Sequence, residues 1–261
     1  MNLRTLFLAT LSLAGATVVS AQAPAPAAAA PATTVTVTAP FVSQYMFRGT
    51  RLGGASFQPS VEVGAGNLAA GVWTNFPMRK KVPGQSDPEV DVYASYKFEV
   101  AKDLNIQPGF TWYNYPNADK ANGFYKSTFE PSIALNYTVA GVTLTPKAYY
   151  DTIMKASTYE ANATYALPVK EIGSELDFIA TYGTFLMREY APTTPDIKNW
   201  GDYWLVGVSL PFQVTSNSKL VVGISYTKGE RNYLKQGSDP KFENSAAVGR
   251  GVASVSYSVS F

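Results

Sequence analysis

Two pairs of carboxylates, Glu89 with Asp91 and Glu175 with Asp177, are the groups in this sequence that most resemble chemical machinery. Facing carboxylates can serve as acid and base on a glycosidic bond, or as ligands for calcium. Their i, i+2 spacing is also what any β-strand produces, because alternate residues share a face. The same parity gathers Arg48, Glu62, Glu130, Lys147, Asp151 and Glu160 into one candidate inward set. Other chemistry is excluded outright. The chain has no histidine and no cysteine, which removes histidine bases, histidine-ligated zinc, thiolate sites and disulfides. The expectation is therefore a protein that is not an enzyme, with no cofactor and no metal site.

The elements that must position these charges follow from composition and period. Only 15% of the 261 residues are charged, where a soluble domain carries about a quarter. Aromatics make up 13%, with 17 Tyr and 14 Phe. Mean hydropathy is close to zero, which does not suit membrane helices built from apolar runs of about 20 residues. It suits strands that alternate apolar and polar. The net charge of +2 is too mild to argue for nucleic acid as a partner.

Period-2 alternation recurs from Val35 to the end. In the final strand Ala253, Val255, Tyr257, Val259 and Phe261 form one face, and Ser254, Ser256, Ser258 and Ser260 the other. Lipid outside and water inside would require that division. The reading predicts an all-β, up-and-down antiparallel transmembrane barrel of about twelve strands. They are expected over 35–49, 56–66, 68–78, 89–100, 104–115, 127–139, 142–153, 157–169, 174–190, 202–214, 218–231 and 249–261. Connections after even-numbered strands are short, such as Gly66-Asn67 and Ala140-Gly141. Those after odd-numbered strands are mostly long and polar, which places the short side in the periplasm. Aromatics near strand ends, among them Tyr45, Phe47, Phe76, Trp112, Tyr115 and Tyr203, are expected in interfacial girdles where they face outward. The inward parity of Trp73 and Tyr113 points instead to packing in the lumen.

Residues 1–21 combine Arg4, an apolar core from Leu6 to Val19, and small residues Val19 and Ala21 at a cleavage site. This is the pattern of a secretory signal peptide, shorter than a membrane span. An Ala/Pro-rich periplasmic tether is expected over 22–34, and the barrel over 35–261. The expected location is the bacterial outer membrane.

Several stretches resemble the TorF-like porin family, Gcw-type bacterial outer-membrane proteins of unknown function. They are YMFRGTRLGGASFQPSVEVGAG at 45–66, LAAGVWTNF at 68–76, EVDVYASY at 89–96 and WYNYPNA at 112–118. KAYYD at 147–151 and YEANATYALP at 159–168 echo it more weakly. The FRG and YxYPxA elements are the most specific. The terminal Tyr257, Val259 and Phe261 are similar to the assembly signal of bacterial outer-membrane proteins. The resemblance implies an outer-membrane barrel with a pore. Its partners would be outer-membrane lipid, the barrel-assembly machinery, and small solutes or ions.

With Arg48, Glu62, Glu89, Asp91, Glu130, Lys147, Asp151 and Glu160 lining the pore, the loop-side mouth is expected to be acidic and weakly cation-selective. The competing expectation is a closed lumen, in which the carboxylates pair with Arg48 and Lys147 and the barrel acts as a scaffold with partner-binding loops. Twelve strands lie close to the size at which side chains fill a barrel.

Overall fold

The computed structural model describes residues 33–80, 87–119, 125–186, 200–230 and 249–261. The expected signal peptide over 1–21, and the expected tether except Thr33 and Thr34, lie outside these residues. In chain order the strands are β1 (Thr33–Val42), β2 (Tyr45–Phe47), β3 (Thr50–Gly53), β4 (Ser56–Phe57), β5 (Ser60–Ala65), β6 (Leu68–Pro77), β7 (Glu89–Tyr96) and β8 (Phe98–Ala101). There follow β9 (Leu104–Asn114), β10 (Ser127–Val139), β11 (Val142–Asp151), β12 (Ala156–Val169), β13 (Ser174–Leu186), β14 (Gly201–Thr215), β15 (Ser218–Gly229) and β16 (Arg250–Ser260).

All but β2 and β3 belong to a single 14-stranded antiparallel sheet. The pairing of β16 with β1, from Thr36↔Ser260 to Val42↔Ser254, joins the two ends of the chain. The pairing of β9 with β10 completes the ring. Short β4 and β5 both lie between β1 and β6, and β7 and β8 both run along β9. Each of these pairs is one interrupted stave, so the wall is a closed barrel of twelve staves. Closure leaves no sheet edge with unpaired backbone.

Alternation sets the two faces, and they are the reverse of a soluble protein's. Val37, Val61, Val72, Ile133, Val206 and Ile224 are exposed on the outside. Asn75, Thr111, Asn136, Asp177 and Ser225 are buried inside. The last strand keeps the expected division: Val255, Tyr257 and Phe261 are exposed, while Ser256 is buried. Outward aromatics fall toward both rims, with Phe76, Trp112 and Tyr159 at one and Tyr96, Phe98, Tyr137 and Tyr257 at the other.

The short turns cluster at one end of the barrel. Ala140 and Gly141, both with positive φ (51° and 82°), make the tight turn between β10 and β11. That geometry matches the twist of the strands it joins. The opposite, loop end receives the longer connections, apart from the brief turn over 152–155.

One element departs from the expected pattern. The strand expected over 35–49 ends at Val42, and the chain leaves the wall there. Residues 45–53 form a separate two-stranded sheet, β2 with β3, turning at Arg48-Gly49. Tyr45 is buried, as are Met46 and Arg48. Continued alternation would have placed Tyr45 and Phe47 in the outer girdle, but the FRG segment is folded into the lumen instead.

Candidate functional site

Hairpin β2–β3 enters the loop end of the lumen and touches the wall on many sides. Tyr45 packs against Trp73 of β6, ring centroids 5.9 Å apart, and donates a 2.7 Å hydrogen bond to Glu89 Oε2 on β7. Phe47 meets Tyr113 of β9 edge-on. Met46 joins Val42 and Val252 in an apolar cluster. At the tip, Arg48 Nη1 and Nη2 donate to Glu130 Oε2 and Oε1 at 2.8 and 2.7 Å. Both side chains are buried, and such a bidentate pair fixes orientation as well as charge. The guanidinium lies 4.7 Å from the ring centres of Phe47 and Tyr149 and 5.8 Å from that of Phe185.

Gly49 meets the far wall. A Cβ there would lie 2.6 Å from Gly229 Cα and from Tyr203 Cβ. Glycine is therefore required twice over at the tip, by its φ of +74° and by the approach of the wall. Gly183 clears room in the same way for the ring of Tyr203.

Tyrosine hydroxyls hold the glutamates. Tyr115 donates to Glu89 Oε1 at 3.0 Å and Tyr113 to Glu130 Oε1 at 3.0 Å. Tyr149 and Tyr203 donate to the two oxygens of Glu160 at 2.8 and 2.6 Å. Deeper in, Tyr93 donates to Glu62 Oε2 at 3.0 Å. Lys147 is the cross-strand neighbour of Glu160, and its Nζ stands 5.6 Å from the Tyr149 ring centre. Asp151 is buried at the end of β11, where Oδ1 accepts from the backbone of Ile153 and Met154. Asp91 is buried beside Glu89, on the same face of β7.

The structure thus brings Arg48, Glu89, Asp91, Glu130 and Asp151 to the loop end, Glu160 and its cross-strand neighbour Lys147 just below them, and Glu62 deeper. Arg48 is not on a wall strand but on the inserted hairpin. Glu175 and Asp177 lie on β13 toward the turn end, far from the other pair along the barrel. Among the described residues no three or more carboxylates are placed to hold a metal ion. Tyr257, Val259 and Phe261 lie on β16 or just after it, where Phe261 and Val35 exchange backbone hydrogen bonds of 2.9 and 3.1 Å. The loop cations Arg79 and Lys80 are exposed, and Lys81 and Lys241 lie outside the described residues.

Sequence reasoning missed the tyrosine cradle. Tyr149 and Tyr203 share the parity of Asp151 and Leu205, so their inward aim was available in the alternation. The socket formed by Gly229 was not, because no local pattern marks it.

Two small hollows lie among the described residues, one at the hairpin and one on the wall below it. One of about 10 Å³ lies between the hairpin tip and Thr181, Tyr203, Leu205 and Thr227. Another, of about 30 Å³ and bounded by Gln107, Ser132, Lys147 and Tyr149, lies below it. Each is of a size for one or two waters.

Residues 26–230 match the family described as "Bacterial protein of unknown function (Gcw_chp)". No curated protein matches the sequence. Among solved structures the chain is similar to the KdgM porin, at 12% identity and a TM-score of 0.52, over 87% of this chain and 99% of that one. It also matches LpxR from Salmonella typhimurium (8% identity, 87% and 99% covered, TM-score 0.48). An outer membrane channel from Pseudomonas putida F1 matches at 10% identity, with 90% and 97% covered and a TM-score of 0.47. At these identities the first likeness establishes a porin-like fold.

Proposed function

The chain belongs to the Gcw_chp family of bacterial proteins, and we propose that it is a porin-like outer-membrane channel for passive diffusion of small hydrophilic solutes or ions. The observation that carries this reading is the closed barrel with an apolar outer face and an interior lined by charged and hydroxylic side chains. Such a shell is stable only with lipid around it and water or polar groups within. The TorF-like assignment within the family, cleavage of the signal peptide and engagement of the assembly machinery by Tyr257, Val259 and Phe261 are parts of the same proposal. Passage is favoured over catalysis because the sequence holds neither histidine nor cysteine, and Glu89, Glu130 and Glu160 are occupied by tyrosine and arginine donors.

Five carboxylates at or just below the loop end (Glu89, Asp91, Glu130, Asp151 and Glu160) face Arg48 and Lys147. This balance favours weak cation preference. Reversal potential in planar bilayers under a salt gradient tests it: the wild type should prefer cations, and Glu89→Gln with Asp91→Asn should lose part of that preference. Anion preference, or no shift in the double variant, would overturn the selectivity.

A second reading, a closed scaffold barrel, is favoured by one specific observation: the hairpin's Arg48 reaches into the lumen and pairs with Glu130 on the wall. It predicts no conductance at all, from the wild type or from any variant with a loosened hairpin.

A further inference from the structure

We propose that hairpin Tyr45–Gly53 is a releasable plug latched at its tip by Arg48, so that the barrel alternates between a closed form and an open one. The inference rests on the channel reading and adds the conformational step that a filled lumen demands.

The hairpin is attached very differently at its two ends. Its neck is tied by backbone, with Tyr45 N donating to Gly54 O at 3.1 Å and Ser43 N to Ala253 O at 2.9 Å. Arg51 Nε also donates to Gln44 Oε1 across the neck at 2.7 Å. Beyond the neck, β2 and β3 pair with each other and with no wall strand. Among the described residues, the tip is therefore held by side chains alone. A two-stranded ribbon this short has little stability of its own. Its turn also places Arg48 at φ 46°, in the left-handed region that a long side chain disfavours. What offsets that cost is the grip of Glu130 on the guanidinium and the three rings around it. If the grip is lost, the tip has no backbone reason to stay.

The wall carries a socket shaped for this tip. Gly229 admits Gly49, and Gly183 lets the Tyr203 ring stand aside with its hydroxyl on Glu160. Opening exposes what the tip covers: Tyr113, Glu130, Tyr149, Glu160 and Tyr203. It also withdraws the guanidinium that pairs directly with Glu130. The open form is thus both wider and more acidic at its narrowest level, so conductance and cation preference must rise together.

The test compares single-channel records of four proteins, each first confirmed as a folded barrel by its heat-modifiable mobility on a gel. They are the wild type, Glu130→Gln, the charge swap Arg48→Glu with Glu130→Arg, and a barrel whose residues 45–53 are replaced by a short Gly/Ser linker. The wild type should be mostly closed with brief openings. Glu130→Gln should raise the open probability by about tenfold or more, as expected when one closed form loses its main differential contact. The charge swap should return the record toward the wild type, which a merely structural role for either residue would not do. The shortened barrel should stay open and be the most cation-selective of the four. If the wild type conducts as continuously as the shortened barrel, or if Glu130→Gln opens no more often, the latch is wrong while the channel stands. If the shortened barrel is folded and still passes no current, the channel reading falls, and the latch with it.

Discussion

The two ends of this lumen share one wall and one parity, yet they are built from different side chains. At the loop end the inward groups are large: Trp73, Tyr113, Tyr149, Phe185 and Tyr203, with Arg48, Glu89 and Glu130 among them, all buried. At the turn end most are smaller and hydroxylic, beside one charged group made of Glu175, buried Asp177 and Lys219. Thr36, Ser95, Thr164, Ser209 and Ser258 are only half-buried. Their bonds are light cross-strand links, such as Thr36 to Ser260 at 3.0 Å and Thr145 to Asn136 Oδ1 at 2.9 Å. The difference comes from one inserted element. A wall of twelve staves cannot fill its own interior with serine and threonine, and where the hairpin enters, long side chains close the gap. The aromatic bulk and most of the inward charge are therefore concentrated in one layer, and a smaller charged group around Asp177 stands apart from it.

The strongest challenge to this contrast is removal of its central charge. Arg48→Ala leaves Glu130 with the Tyr113 hydroxyl and no charged partner, which costs up to about 3–5 kcal/mol while the tip stays seated and less once it opens. Lys147→Ala, below the hairpin and resting on the Tyr149 ring, should cost no more than about 1 kcal/mol. Urea unfolding in detergent or thin vesicles would measure both. Equal losses would mean that the loop end is not the sealed layer described here.

A control belongs on the shared outer face, which should not distinguish the two ends. Val206 is exposed at the apolar surface, and Val206→Arg should destabilise by about 2–4 kcal/mol in lipid. Unchanged folding into vesicles would show that this face does not meet lipid.

That outer face was also the most legible part of the molecule. Alternation in β7, β14 and β16 assigns Val92, Val206 and Val255 outward and Asp91, Leu205 and Ser256 inward, because a period of two leaves only two choices. The strand expected over 127–139 coincides with β10, and the tight turns fall where Gly66-Asn67 and Ala140-Gly141 predict them. Burial of Trp73 and Tyr113 followed from parity in the same way. Parity could not show where the first strand stops. Residues 35–49 continue the alternation past Val42 into Tyr45 and Phe47, and leaving the wall is a tertiary choice set by sockets on β7, β10, β14 and β15. Nor does any local signal pair Arg48 with Glu130, 82 residues away. The candidate charges were found as a set, but their partners were not.

Two glycines sharpen the contrast at smaller cost. Gly49→Ala must place a methyl group 2.6 Å from Gly229 Cα at a positive φ, a combination worth about 1–3 kcal/mol of destabilisation. Gly64, inward on β5 toward the turn end, has nothing within 4 Å of its missing Cβ. Gly64→Ala should be neutral or stabilise by up to about 1 kcal/mol, through loss of freedom in the unfolded chain. Thermal midpoints of heat-modifiable mobility would rank the two. A tolerated Gly49→Ala would show that the tip is not tightly seated.

The smallest expected effect separates the ends by sign, using one substitution at two threonines. Thr158 is fully buried on β12 at the loop end, and among the described residues its Oγ1 has no hydrogen-bond partner. Thr145 is half-buried on β11, and its hydroxyl donates to Asn136 Oδ1. Valine has nearly the shape of threonine and suits a strand at least as well. The outcome should therefore depend on the hydroxyl alone. Thr145→Val gives up a hydrogen bond that contributes about 0.5–1.5 kcal/mol and leaves an amide oxygen short of a donor. Thr158→Val removes a buried polar group that gains nothing in return, so stability should rise by about 1 kcal/mol. Two urea midpoints moving in opposite directions would support a loop end sealed from water. If Thr158→Val also lowers stability, its hydroxyl is hydrated in solution, and the loop-end layer is as wet as the turn-end half of the lumen.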